Sequence, residues 1–355
     1  MLTIKELTAA DCPAWDAYVR GHAAGLPQHL SAWRTVLHNT YGYRSHYLVA
    51  RCRAPQNDSQ AGTIVGVLPL FFVRSLLTGH TAMTMPGGLC ADSPAIAESL
   101  LAHGRDVARQ YRADRLVIQD SRQAWAGAWQ TTQGHVNWVV DLQEGEEALW
   151  QRLHRNIRRQ VRIGRKEQLR VEIARTPALL PDFYTVLSRF THQAGTPVFG
   201  RTFLEEVVIH FPNGYNIMVI YLGTQPIGGY FQLELGQTVY GAWGATLHAY
   251  LALRPVYLAY WSIMADAIAQ GFTCLDMGRS PLGSTASAFK GEWNGVAQPI
   301  YQQATGIRQP TQSGTVVTQA QTDSGFRTFR RLWPKLPFPV AQFLGPKVRR
   351  HIPFA

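Results

Sequence analysis

The stretch GRSPLGSTASAFKGEWNG, residues 278–295, places one lysine, Lys290, between the aromatics Phe289 and Trp293 at the end of a run of small residues. Just before it, the strand-like segment FTCLDMG ends in Asp276, and Arg279 follows directly. A partly desolvated ammonium in such a place stabilises charge developing on a reacting carbonyl far better than a lysine in water. In α/β folds ligands gather beyond the carboxyl ends of strands. Gly278, Gly283, Ser284, Ala286, Ser287 and Ala288 are small enough to let backbone approach a ligand closely. The same residues also suit a structural Asp–Arg or Asp–Lys pair that closes a domain, and on residue types alone that plainer reading is the stronger one.

A second candidate is LWQRLHRNIRRQVRIGRK, residues 149–166. At about 100° per residue, Arg152, Arg155, Arg159, Arg162 and Lys166 share one helix face and Leu149, Trp150, Leu153, Ile157 and Val161 the opposite one. Arginine forks match phosphate oxygens, so this face is a candidate cradle for a phosphate-bearing ligand. The alternative is a solvated face, which normally interleaves Glu with Lys. Residues 149–170 instead hold eight basic residues and one acid. A further seven basic residues and no acid fall in 326–355, among Trp333, Phe338 and Phe343. That tail suits either an anionic membrane surface or packing on the body of the protein, and its prolines near residue 338 favour packing. The net charge of +11 over 355 residues therefore belongs to two segments, and the rest of the chain is mildly acidic. This localises anion contacts and argues against a general nucleic-acid coat.

Other chemistries find no support in the pattern. There is no GxGxxG, no GxxxxGK[ST], no HExxH and no histidine pair at metal spacing. Gly278-Arg279-Ser280-Pro281 lacks the second glycine of a nucleophile elbow, and Pro281 removes an amide. His46, His192 and His248 are expected to be core or surface residues, and no metal or tightly bound cofactor is expected. Cys12, Cys52, Cys90 and Cys274 form no CxxC pair and are expected to be buried thiols in a reducing cytoplasm. The first residues lack a charged-then-apolar leader, and the longest apolar stretch, 255–270, carries Asp266. Cytoplasmic placement follows as the expectation, and the Asn57-Asp58-Ser59 sequon carries no weight there.

The elements that must position these residues occur twice. SHYLVARCR and GTIVGVLPLFFVRS are two strands, followed by the helical AIAESLLAHGRDVARQY and the strand DRLVIQD. Later, YNIMVIYLGTQPIGGYFQLELGQTVYGAWGA gives two or three antiparallel strands. A helix PVYLAYWSIMADAIAQ follows, with Pro255 in its first turn and Gly271 past its end, and then the strand FTCLDMG. We read an internal duplication of a mixed α/β unit: hairpin, helix, strand. The expected division is an N-terminal domain 1–145, a C-terminal catalytic domain 146–303, a linker 304–325 rich in Gln, Thr, Ser and Gly, and a basic aromatic tail 326–355.

The segments NIRRQVRIGRKEQLRVEI, FYTVLSRFTHQAGTPVF, AYWSIMADAIAQGFTCLDMGRS and SAFKGEWNG, in that order, resemble the FemAB-type branch of the GNAT-like acyltransferases. More narrowly they are similar to FemAB-related proteins that accompany bacterial exosortase and exopolysaccharide systems, as are PQHLSAWRTVLHNTYGYRSHYLVA and VGVLPLFFVRS. The resemblance covers roughly residues 25–350. It implies tandem GNAT-like halves of mixed α/β type and transfer of an acyl or aminoacyl group to an amine or hydroxyl of a cell-envelope or exopolysaccharide precursor. It also implies a Phe-Lys pair at the reacting ester, here Phe289 and Lys290. A [QR]xxGx[GA] pyrophosphate loop is lacking, and so is a long coiled-coil insertion of the tRNA-dependent kind. The donor, acyl-CoA or aminoacyl-tRNA, is therefore left open.

On this reading Lys290 offsets charge on the tetrahedral intermediate or leaving oxygen, Asp276 or a solvent chain assists proton removal, and Arg279 orients Asp276. Tyr257, Tyr260, Trp261 and Trp293 line the channel unless their helical spacing marks them as core. Arg155, Arg159, Arg162 and Lys166 hold phosphates of a small-molecule or lipid-linked glycan substrate, or of tRNA. Peripheral contact with the cytoplasmic face of the inner membrane falls to the tail. Two rival readings are a non-catalytic GNAT-like scaffold for a polysaccharide or sorting system, and an RNA-binding protein using the arginine helix.

Overall fold

The computed structural model describes residues 1–52, 62–75, 79–308 and 324–352. The sequon and most of the expected linker lie outside the described residues. The chain forms two compact units: Met1–Gly134 with Ile300–Arg327 and Arg349–Ala355, and His135–Pro299 with Thr328–Val348.

In the first unit the strands are β1 (Leu2–Glu6), β2 (Arg44–Cys52), β3 (Thr63–Ser75), β4 (Gly79–Thr84), β5 (Cys90–Ala91), β6 (Arg115–Ser121) and the later part of β13 (Val296–Gly306). Their order in the sheet is β1-β2-β3-β4-β6-β13, with β5 on β3. The helices are α1 (Cys12–Gly21), α2 (Trp33–Tyr41) and α3 (Pro94–Gln110). Helix α3 starts where the Ser93 hydroxyl accepts from the Ile96 amide and Pro94 occupies the first turn. Its Ala97, Leu100, Leu101 and Ala108 recur at helical spacing and bury against Leu68, Leu70 and Leu116 of the sheet.

The second unit repeats the plan. Its strands, the later part of β7 (Gln130–Asp141), β8 (Leu169–Ala174), β9 (Tyr215–Leu222), β10 (Gln225–Leu235), β11 (Thr238–Thr246) and β12 (Cys274–Pro281), run β7-β12-β11-β10-β9-β8. Its helices include α4 (Gly145–Arg152), α5 (Arg155–Lys166), α6 (Leu180–Gln193), α7 (Arg201–His210), α8 (Pro255–Ala269) and α9 (Thr285–Gly291). Strand β9 is buried along nearly all its length because both faces are covered. On one side Phe183 of α6 lies against Gly229 of β10, where a Cβ would come within 2.8 Å of its ring. On the other, Met218 and Ile220 share a core with Ala259, Ile263 and Met264 of α8.

The duplication is visible in the pairing. In each unit three antiparallel strands lead through a helix to a strand parallel to the third. Thr81↔Arg115 to Met83↔Val117 join β4 to β6, and Thr238↔Cys274 to Tyr240↔Asp276 join β11 to β12. The units differ from the division expected at 145/146. The strand HVNWVVDL pairs antiparallel with β12, from Asp141↔Cys274 to His135↔Pro281, and so belongs to the second unit. Residues 304–306, expected in the linker, complete β13 against β6.

The single amphipathic helix expected over 149–166 is two helices. Leu153 is extended, and the His154 ring accepts from the Asn156 amide, so α5 begins afresh after α4. Arg152 thereby leaves the cationic face and pairs with Glu144 at 3.1 Å.

The tail forms α10 (Ser324–Leu332) and α11 (Phe338–Arg349). Trp333 is buried, Phe338 meets His192 edge-on at 5.7 Å, and the Leu336 carbonyl lies 3.0 Å from His192 Nε2. Packing on the second unit therefore accounts for the tail's inner face, while Val340 and Phe343 are exposed. All four cysteines are free thiols, but of the four expected to be buried only Cys90 is: Cys12 and Cys274 are partly exposed, and Cys52 is exposed because it ends β2 at the sheet margin. No helix among the described residues is long and apolar enough to cross a membrane.

Candidate active site

Strands β11 and β12 part immediately after Tyr240↔Asp276. Both carry an irregularity at that point. On β11, Phe231↔Trp243 is followed by Gln232↔Gly241, which leaves Ala242 as an extra residue. On β12, Asp276↔Val139 is followed by Arg279↔Asn137, so Met277 and Gly278 oppose Trp138 alone. Asp276 therefore does not end its strand. It precedes a bulge, and the strand resumes against β7 as far as Pro281.

The bulge requires glycine. Gly278 has φ +75°, and a Cβ there would stand 2.5 Å from the Gly241 carbonyl oxygen. The two backbones come close at these glycines and then diverge, which opens a wedge between parallel strands.

Lys290 reaches the bulge from α9. Ser284 caps this helix by accepting from the Ser287 amide at 3.1 Å. The small-residue run thus serves to cap and seat α9: the Ser287 hydroxyl accepts from Trp138 Nε1 at 3.1 Å, and Gly291 sits against the Trp138 ring. From there the Lys290 ammonium donates to the carbonyl oxygens of Gly278 at 2.8 Å and Arg279 at 3.2 Å. Its residue is only 8% exposed. Burial pulls its pKa from 10.5 to about 8, against an opposing pull from the Asp276 carboxylate.

Asp276 is 3% exposed. Its carboxylate accepts from the Gly278 amide at 2.8 Å and from Asn137 Nδ2 at 3.2 Å. Asn137 and Trp138 had no signal in the sequence around Lys290. They arrive from a strand well over a hundred residues earlier, and only the β7–β12 pairing brings them in. Arg279 lies half-buried beyond the bulge, and its carbonyl is one of the two acceptors.

The aromatic residues expected to line a channel pack on one another instead. Tyr257 and Tyr260, one turn apart on α8, meet Phe289 at 5.1 and 5.5 Å between ring centres, and Phe289 meets Trp293 at 6.0 Å. Trp293 is 0% exposed, Trp261 is buried as well, and both belong to the core. A fully buried ring cannot face a channel, so its place there is corrected: this cluster is the bed that holds α9. Phe289, Tyr257 and Tyr260 are partly buried members of the same cluster.

Helix α5 presents its charges to solvent. Ile157 and Val161 are buried, and Gly164 sits against Leu258 of α8, where a Cβ would be 3.2 Å from that side chain. Arg155, Arg159, Arg162 and Lys166 are exposed. Arg162 lies over the Trp150 ring at 5.5 Å. Among the described residues no carboxylate pairs with Arg155, Arg159 or Lys166, so this face keeps its charge available to an outside anion. No group of His, Cys, Asp and Glu among the described residues is placed to hold a metal ion.

Comparison with known proteins agrees with this architecture. Residues 151–291 match the family "Acetyltransferase (GNAT) domain". No curated protein sequence matches the chain. Among solved structures, FemX is similar with a TM-score of 0.63 at 13% identity, over 85% of this chain and 96% of that one. A tandem GNAT protein from the clavulanic acid biosynthesis pathway gives 0.56 at 10% identity, over 88% and 100%. The C-terminal domain of a putative lysylphosphatidylglycerol synthetase from Agrobacterium fabrum gives 0.54 at 12% identity, over 89% and 96%. At these identities the likeness is one of fold: a mixed α/β body built like those of FemX and the tandem GNAT protein.

Proposed function

We propose, from the match of residues 151–291 to the acetyltransferase (GNAT) domain family and the likeness to tandem GNAT folds, that the chain transfers an acyl or aminoacyl group to an amine or hydroxyl of a phosphate-bearing cell-envelope or exopolysaccharide precursor. The observation that carries this reading is the buried Lys290 ammonium at the bulge where β11 and β12 part.

In the proposed reaction the acceptor nitrogen or oxygen attacks the donor carbonyl carbon in the wedge. A C–N or C–O bond forms, and the carbonyl electron pair moves onto oxygen. Collapse of that intermediate breaks the donor's C–S or C–O bond. The proton lost by the acceptor passes through Asp276 or a solvent chain to the leaving thiol or hydroxyl. Lys290 holds two carbonyls with two of its N–H groups. Among the described residues its third has no acceptor, and this one is assigned to the developing negative charge. Asp276, fixed by Asn137 and the Gly278 amide, is the assigned proton acceptor. Arg279 is assigned to orient the carboxylate.

Helix α5 is assigned the phosphates of the acceptor or donor through Arg155, Arg159, Arg162 and Lys166. Peripheral contact with an anionic membrane is assigned to the exposed Val340 and Phe343 beside Lys347 of α11.

The test is donor consumption by the purified chain, with acyl-CoA and aminoacyl-tRNA offered separately alongside phosphate-bearing glycan acceptors. Product with one donor and none with the other identifies the thioester or ester chemistry. A protein that binds neither donor is a scaffold, and one that binds generic RNA with steep salt dependence and forms no product is an RNA-binding protein.

A further inference from the structure

The first unit holds a cavity of about 320 Å³ built where β2 and β4 begin, where β3 and α3 end, and where Arg350 and His351 return to the sheet. This is the opposite end of β4 from the glycine turn at Gly87 and Gly88, and no step of the proposed transfer uses it.

Its walls are rings. Tyr43 is buried and stacks on Tyr41 at 5.1 Å between centres, and Phe72 meets Tyr111 at 4.9 Å and His80 at 5.7 Å. Its rim is cationic: Arg44, Arg74 and Arg350 all line it, and no carboxylate does. The Arg44 guanidinium lies 4.3 Å above the Tyr111 ring, which orients it at the mouth. Two contacts fix the returning segment. The Tyr43 hydroxyl donates to the Arg350 carbonyl at 2.7 Å, and His351 Nδ1 lies 3.3 Å from the Arg74 carbonyl. Among the described residues no carboxylate comes within ion-pair distance of Arg44, Arg74 or Arg350. The nearby Asp114 accepts from the backbone amide of His80 and faces Arg308.

Three unneutralised guanidiniums around one concavity repel one another, and the arrangement gains most when an anion joins them. Pockets of roughly 300 Å³ are at the small end of the ligand-site range. Aromatic walls in such a pocket favour a carrier with a flat face. We infer that this pocket binds a small phosphoryl-bearing anion attached to a ring, such as a nucleoside diphosphate, with the phosphates on Arg44, Arg74 and Arg350 and the ring against Phe72 and Tyr43.

The experiment is calorimetric titration of the full chain with inorganic pyrophosphate, with ADP, and with vesicles containing phosphatidylglycerol. The proteins are the wild type, the double variant Arg44→Gln/Arg74→Gln, and a control Arg20→Gln/Arg109→Gln that removes the same charge elsewhere on the first unit. We expect pyrophosphate to bind the wild type and the control alike, and the pocket variant at least tenfold more weakly, with ligand-free Tm unchanged. ADP should bind severalfold more tightly than pyrophosphate. Vesicle binding that only the pocket variant loses, without pyrophosphate binding, would identify a lipid headgroup as the source of the phosphoryl group. Equal binding to all three proteins, or none with any probe, overturns the site. Equal affinity for ADP and pyrophosphate overturns the part assigned to the rings.

Discussion

The Lys290 ammonium and the Gly278 carbonyl oxygen meet at 2.8 Å, and Gly278 is the residue whose φ of +75° makes the bulge between β12 and its neighbours. The cation of the proposed chemistry is thus also the clamp on the backbone that shapes the wedge. The two roles are separable, because they respond differently to substitution and to pH.

Replacing Lys290 by Met keeps the length and apolar stem and removes the charge. Leaving the two carbonyls without their donor costs roughly 1–3 kcal/mol, and removing a buried charge offsets part of that. Tm should therefore fall by only a few degrees, while turnover falls below detection. Circular dichroism melts and steady-state rates on the same preparation check this. Near-normal turnover in a folded Lys290→Met protein would return the lysine to a purely structural role.

The pH dependence has a definite sign. The folded-state pKa of about 8 lies below the unfolded value of 10.5, so between those pH values the unfolded chain binds more protons. Stability attributable to Lys290 is then lowest below pH 8 and rises as pH climbs toward 10.5, by on the order of 3 kcal/mol for the full shift. Activity that depends on the ammonium should fall over the same window. Urea melts of wild type and Lys290→Met at pH 7 to 10 should show the stability difference drift in favour of the wild type, as its kcat declines.

Gly278→Ala should be severely damaging. The residue would have to hold a positive φ, at a cost of order 1–3 kcal/mol, with its Cβ 2.5 Å from the Gly241 oxygen. We expect a Tm drop of several degrees and loss of activity together. Gly241→Ala, whose Cβ would meet Met277 backbone at 3.2 Å, should do the same to a lesser degree. Thermal melts with activity assays resolve the pair.

The triple substitution Arg155→Gln/Arg159→Gln/Lys166→Gln should leave Tm within about 3 °C, since exposed substitutions away from special contacts are within about 0.5 kcal/mol each. On the proposed reading KM for the phosphate-bearing substrate rises at least tenfold with kcat little changed, and the wild-type KM rises with salt. Initial rates across substrate and salt concentration test it. An unchanged KM would leave α5 as a solvated face.

Much of the plan was legible in the residues. Gly and Pro punctuation around VYLAYWSIMADAIA, the β-branched run of β9 and the aromatic and leucine residues of β10 mark their elements directly, and the repeat of hairpin, helix and strand follows from them. The site was half legible. Lys290 and Asp276 were conspicuous by type, and the bulge glycine Gly278 sat between them. Asn137 and Trp138 were invisible, because nothing local in HVNWVVDL announces pairing with a strand so far along the chain. The break at His154 was missed because the hydrophobic period runs through it without interruption, and only the cap reveals the turn. Trp293 was misplaced because an aromatic flanking a lysine looks the same in sequence whether it faces a ligand or a core. The cationic pocket of the first unit was illegible for the same reason as Asn137: Arg44, Arg74 and Arg350 come together only when the chain's end returns to the sheet.

The central claim is tested most directly by mass spectrometry of envelope saccharides and their precursors from cells carrying the wild-type chain, the Lys290→Met chain at matched abundance, or none. The account predicts an acyl or aminoacyl mass increment in the first alone. The same increment at full level with Lys290→Met, or no difference among the three, would contradict it.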